Sequence, residues 1–141
     1  MTTAPTNEHL KHRAIISTIN YKRIDDDDPK SRTDARALSL GKSTWNSKEI
    51  SAKIWRHNGQ QWKGSSEEMP LRRALDCTIM ILSAMLSTQE GKLENHFLDL
   101  TIVDATQMQE LQDYLIKHQD ELDERLAEIK LLLGKYLNSK R

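Results

Sequence analysis

The chain has 141 residues, 37% of them hydrophobic and 30% charged, with 21 basic and 21 acidic side chains and a formal net charge of zero. This length suits one domain, 1–141, with one core, and the composition is polar without being that of a disordered chain. A zero balance counts against a general nucleic-acid coat, the single cysteine excludes a disulfide framework, and no apolar run is long enough to span a bilayer. With no apolar leader in MTTAPTNEHLKHR, these features predict a soluble, cytoplasmic protein.

Residues 1–12 are small and polar and read as frayed. Ala14 to Ile19 is β-branched and reads as a first strand. Asp25 to Asp28 followed by Pro29 reads as a solvated turn, because a calcium loop would alternate its ligands and carry a glycine at a set position. Ala37 to Trp45 alternates as a second strand, with Ser39, Gly41, Ser43 and Trp45 on one face and Leu38 and Leu40 on the other. Glu49 to Trp62 reads as a hairpin about Asn58-Gly59, the pair best suited to a two-residue turn. That turn would set His57 opposite Gln60 and Trp55 opposite Trp62, with the second strand running over Gln60–Ser66. Ile50, Ala52 and Ile54 form the expected core face, whereas Ser51, Lys53, Trp55 and His57 share the other.

A first helix is expected from Pro70, with Glu67 and Glu68 just upstream favourable for its N-terminus. Its apolar residues recur on so wide a face that most of it should be buried, and its early polar edge holds Arg72, Arg73 and Asp76. Phe97 to Val103 alternates as a further strand, and Asp104 opens a capping pattern with Gln107. From Leu111 to Tyr136 apolar residues follow at steps of three and four, as one long helix or as two broken near His118. The expected fold is α+β: an antiparallel meander packed on a central helix (13–103), then a C-terminal helical segment (104–138).

Enzymatic chemistry finds few footholds. None of the five histidines (His9, His12, His57, His96 and His118) lies at a metal-binding spacing, and no phosphate-cradling loop or nucleophile elbow is present. Cys77 lies mid-helix on an apolar face, where cysteine is usually structural. Glu67 and Glu68 are adjacent, so they point apart on a strand. No metal and no cofactor is expected, and the protein reads as non-enzymatic.

Binding has more support. All three tryptophans fall between Trp45 and Trp62, interleaved with Lys42, Lys53, Arg56, His57 and Lys63. From Gly41 to Arg73 seven Lys or Arg stand against Glu49, Glu67 and Glu68, so the middle of the chain is locally basic. Aromatic rings beside cations on a sheet suit a planar anion, with base stacking worth about 1–3 kcal/mol per base. The expected ligand is a nucleotide-like small molecule or a short single strand of nucleic acid. Trp55, Trp62, Lys53, His57, Trp45, Arg72 and Arg73 would hold it, with Ser51, Glu67 and Glu68 nearby. Arg56 would contribute only at an edge, because it points away from Trp55. The same tryptophans could instead be packing, since a cross-strand aromatic pair stabilises a hairpin by up to about 1 kcal/mol. The alternative function is an oligomerising or adaptor protein acting through the C-terminal helix, and a homo-oligomer is expected on either reading.

Asp34-Ala35, Leu38 to Gly41, Trp45, the block Ile-Ser-Ala-Lys-Ile-Trp-Arg-His from Ile50 to His57, Trp62, and Ser66 to Leu71 with Arg73 together resemble a family. It is a family of small bacterial proteins catalogued as a domain of unknown function. The resemblance covers Ile15 to Met85 well, and Arg72 stands where that family carries a histidine. It implies no activity. The arrangement of strands, Asn-Gly turn, tryptophans and helix is also similar in architecture to the Whirly, PurA and transcriptional-coactivator type of single-stranded-DNA binder. That likeness implies a dimer laying bases on a sheet.

Overall fold

A computed structural model of the chain describes residues 2–5, 11–25, 33–63 and 67–140. Contacts group the chain into two compact units, Met1–Cys77 and Thr78–Arg141. The first holds a four-stranded antiparallel sheet in sequence order: β1 (Arg13–Ser17), β2 (Ala35–Lys42), β3 (Ile50–Arg56) and β4 (Glu68–Pro70). A single helical turn, α1 (Lys22–Asp25), lies between β1 and β2. Helix α2 (Leu71–Glu90) follows β4, and then come a 3₁₀ turn (Ala105–Gln107), α3 (Met108–Lys117) and α4 (Gln119–Ser139). The fold is α+β, as the sequence patterns indicate. Among the described residues no helix is long and apolar enough to cross a membrane.

The hairpin turn lies one residue further along than Asn-Gly statistics suggest. Asn58 Oδ1 accepts from the backbone of Gln60 and Gln61, and Asn58 N donates to Gln61 O at 3.1 Å. An asparagine that bonds forward in this way opens a turn rather than occupying its centre. Gly59 takes the positive φ of 96°, and His57, not Trp55, pairs with Trp62. Beyond that bridge the expected return strand over 60–66 is not formed among the described residues. β4 takes the place beside β3, with Ala52 opposite Met69 and Ser51 opposite Pro70. Pro70 therefore ends a strand, and α2 starts one residue later.

The two faces of the sheet are used in the reverse of the expected sense. Ser51 is 0%, Trp55 2% and Lys53 7% exposed, whereas Ile50 is 40% exposed. Residues 2–5 and His12, from the stretch read from composition as frayed, lie against this face. Ala4 packs with Ala37 and Trp55, Ala4 N donates to Ser17 Oγ at 2.6 Å, and Thr2 O accepts from Asn20 N. The opposite face carries an apolar groove of about 520 Å³ lined by Ile16, Leu38, Leu40, Ala52, Ile54 and Met69.

Two further segments differ from their sequence patterns. Phe97–Val103 is not a strand: Asn95 accepts Leu98 N on its side chain and Asp99 N on its carbonyl, which closes a local turn. Phe97 and Val103 are left exposed. Nor is α2 mostly buried, since only Ser87 is fully covered and Leu75, Met80, Ile81 and Leu86 are exposed. The C-terminal segment is two helices, parted at His118, whose ring stacks on Tyr114 at 4.3 Å between centroids. Asp104 does cap, accepting Thr106 N at 3.0 Å. Of the aspartate run only Asp25 is described, and it accepts from Thr33 Oγ1.

One residue of β2 controls the approach of β1. A Cβ on Gly41 would lie 2.1 Å from the Arg13 carbonyl oxygen. A larger residue must push the two strands apart, an overpacking cost of about 1–3 kcal/mol. Gly41→Val is expected to lower the unfolding free energy by that amount, measured by urea unfolding followed by tryptophan fluorescence.

Candidate functional site

The buried face of the sheet holds a connected group of polar side chains, and its centre is His12, just before β1. Ser39 on β2 and Ser51 on β3 are small, and the His12 imidazole packs beside them at 1% exposure. His12 Nδ1 lies 2.8 Å from Glu68 Oε1, and Nε2 lies 3.0 Å from Ser39 Oγ. Ser51 Oγ donates to Glu68 Oε1 at 2.7 Å, and the backbone N–H of Thr44 donates to the same oxygen at 3.0 Å. Trp55 Nε1 donates to Ser39 Oγ at 2.8 Å.

Protonation follows from this geometry. Burial pushes the Glu68 carboxyl up, but hydrogen bonds from Ser51, Thr44 and His12 outweigh it and hold the group at about 2. An ionised carboxylate only accepts, so His12 Nδ1 carries a proton toward Glu68, while Nε2 pairs with the Ser39 hydroxyl. The Ser39–His12–Glu68 order is that of a base-activated hydroxyl. Ser39, however, is 6% exposed, and its oxygen already receives the Trp55 N–H. In this arrangement the hydroxyl is a satisfied strut with no open side for a substrate.

Lys53 is the exception within the group. Its ammonium sits 4.3 Å from the centroid of the Trp55 ring. Among the described residues it has no hydrogen bond or ion pair; Glu68 acts on it only through its charge. Burial lowers its pKa from the usual lysine value, against the pull of Glu68. Trp62 packs edge-on to Trp55 at 6.0 Å and to His57 at 5.1 Å, and both Trp62 and His57 are half-buried.

The structure thus brings Ser51, Lys53, Trp55, Trp62, His57 and Glu68 onto one face and adds His12 and Ser39. Trp55 is not an open stacking surface, because Ala4, His12, Lys53 and Trp62 surround it. The other expected site residues lie elsewhere. Arg56 bonds Asp34 and both oxygens of Glu67, and Lys63 bonds Asp34. These contacts with Lys63 and Arg56 hold the Asp34 carboxyl at about 2. Trp45 is exposed in the turn after β2 and donates to Glu49 Oε2. Arg72 and Arg73 are exposed on the first turn of α2. Among the described residues no group of His, Cys, Asp or Glu is placed to hold a metal ion.

The model of the Family of unknown function (DUF6530) matches residues 3–104. The chain belongs to this family. The matched span of DUF6530 contains every member of the His12–Glu68 group and all of the sheet, whereas α3 and α4 lie beyond it. No curated protein and no solved structure matches the chain significantly.

His12 and Ser39 were not among the site residues named from the sequence. Their signal was the small side chains of Ser39 and Ser51 on one face of the sheet, which leave room for another side chain beside them.

The low Glu68 value has a consequence in acid. In the folded state the carboxyl stays ionised well below its ordinary 4.5, so between about 4.5 and 2 the unfolded chain binds more protons. The stability Glu68 contributes is therefore whole above 4.5 and is lost as pH falls toward 2. Asp34 adds to the loss between about 3.8 and 2, so Glu68→Gln is expected to flatten the acid-unfolding profile in part, as read by circular dichroism. An unchanged slope would mean that Glu68 is not held as described.

Proposed function

We propose that the protein is a non-enzymatic binding protein whose site is the Lys53 end of the polar group, and whose ligand is a small, planar anion of nucleotide type. The observation that supports this reading is Lys53, a residue only 7% exposed whose ammonium, partly desolvated, has no hydrogen-bond acceptor among the described residues. Burying an unpaired ammonium costs several kcal/mol after relaxation. Its contact with the Trp55 ring returns about 2 kcal/mol or somewhat more of that and supplies no hydrogen-bond acceptor. A phosphate or carboxylate oxygen would supply the missing acceptor, and the half-buried Trp62 and His57 offer aromatic surface to the rest of the ligand. A single small anion suits the site better than a nucleic-acid strand, because stacking successive bases needs open ring faces, and Trp55 has none.

A lysine kept for a ligand at the expense of the apo fold leads to a paired test. Lys53→Met removes the buried charge while keeping the bulk. It is expected to raise the melting temperature by a few degrees at neutral pH. The gain should shrink as pH rises toward 10.5, because the wild-type lysine loses its proton earlier in the folded state than in the unfolded chain. Adenosine and guanosine mono- and triphosphates, with inorganic phosphate beside them, are the probes. A ligand at 100 times its Kd stabilises by about 2.7 kcal/mol, a shift of several degrees. That shift is expected in the wild type and not in Lys53→Met. No shift with any probe, together with a destabilised Lys53→Met, would overturn the reading.

A further inference from the structure

We infer that two copies of this chain pair through α4 in antiparallel orientation. The inference rests on residues outside the Lys53 site and does not depend on it. From residue 127 to Ser139 every position of α4 is exposed. The apolar side chains there, Ile129, Leu131, Leu132, Leu133, Tyr136 and Leu137, are 38–58% exposed. Three and a half turns of such surface are costly to leave in water, at about 25 cal/mol per Å².

The pattern of α4 points to another copy of itself as the occupant. Leu122, Leu126, Ile129, Leu133 and Tyr136 follow at alternating steps of four and three, the spacing of a helix-pairing seam. Ile129 stands at the middle of that series, so the seam reads nearly the same in both directions. A two-fold axis through Ile129 would lay the seam on its own reverse, as an isologous contact requires. Charge then decides orientation. The first half of α4 carries Asp120, Glu121, Asp123, Glu124 and Glu128 against Arg125 alone, whereas the second half carries Lys130 and Lys135, with Lys140 just beyond. Antiparallel pairing sets the acidic half of each copy on the basic half of the other and opposes the helix dipoles favourably. Parallel pairing sets acid on acid. Individual exposed pairs contribute 1 kcal/mol or less, so the apolar seam supplies affinity and the charges supply direction.

Light scattering of the full chain is expected to give the mass of two chains. Leu133→Lys is expected to give one, with an unchanged helical signal, because the side chain is exposed in the single chain. A wild type that stays at one chain up to its solubility limit, or a dimer that survives Leu133→Lys, would overturn the pairing. Orientation is read by oxidative cross-linking in a Cys77→Ser background. A chain with Leu122→Cys should link to a chain with Tyr136→Cys; linkage of Leu122→Cys chains to each other would overturn the antiparallel arrangement. Raising salt should weaken the dimer, since it screens opposite charges. Strengthening by salt would count against the antiparallel arrangement.

Discussion

One carboxylate oxygen ties the sheet unit together. Glu68 Oε1 takes hydrogens from His12 before β1, from Ser51 on β3 and from the Thr44 backbone in the turn after β2, while Glu68 itself belongs to β4. Contacts that span up to 56 positions of chain converge on a single atom. Buried polar groups are affordable only when each finds its partner, and a half-satisfied group is worse than an apolar core. Here the carboxylate, the imidazole and both hydroxyls are satisfied, whereas among the described residues the Lys53 ammonium beside them has no hydrogen-bond acceptor.

Much of the sheet was legible in the sequence because strand periodicity is local. Alternation set Ser51, Lys53 and Trp55 apart from Ile50, Ala52 and Ile54, and the structure keeps that division. It even survives the slip in the hairpin. Moving the partner of Trp62 from Trp55 to His57 is a shift of two positions, and two positions return a side chain to the same face. The opposed directions of Glu67, toward Arg56, and Glu68, toward His12, follow from the same alternation.

What the sequence did not disclose was which face would be covered. Hydrophobicity assigned the core to Ile50, Ala52 and Ile54, but coverage depends on non-local partners, and the partners here are Ala4 and His12 in a stretch whose composition resembles a loose terminus. The alternation of Phe97–Val103 failed for a related reason. A period of two makes a strand only where a neighbouring strand exists to receive its hydrogen bonds, and Asn95 captured the backbone first. His118 shows the converse: the three-four seam runs through it without interruption, yet the backbone there leaves the helical range, at φ −102° and ψ 18°.

The two outer strands of the sheet decide how the protein avoids joining others by the wrong route. β4 is only three residues long and ends in Pro70, which has no backbone hydrogen to offer a docking strand. β1 carries an irregularity between Ala14 and Ile16, where its register against β2 shifts. A foreign strand approaching either side meets a missing donor or a broken repeat. Fibre-like growth through the sheet margins is therefore blunted at both ends, even though Ile15 and Ile16 on β1 lie open to solvent.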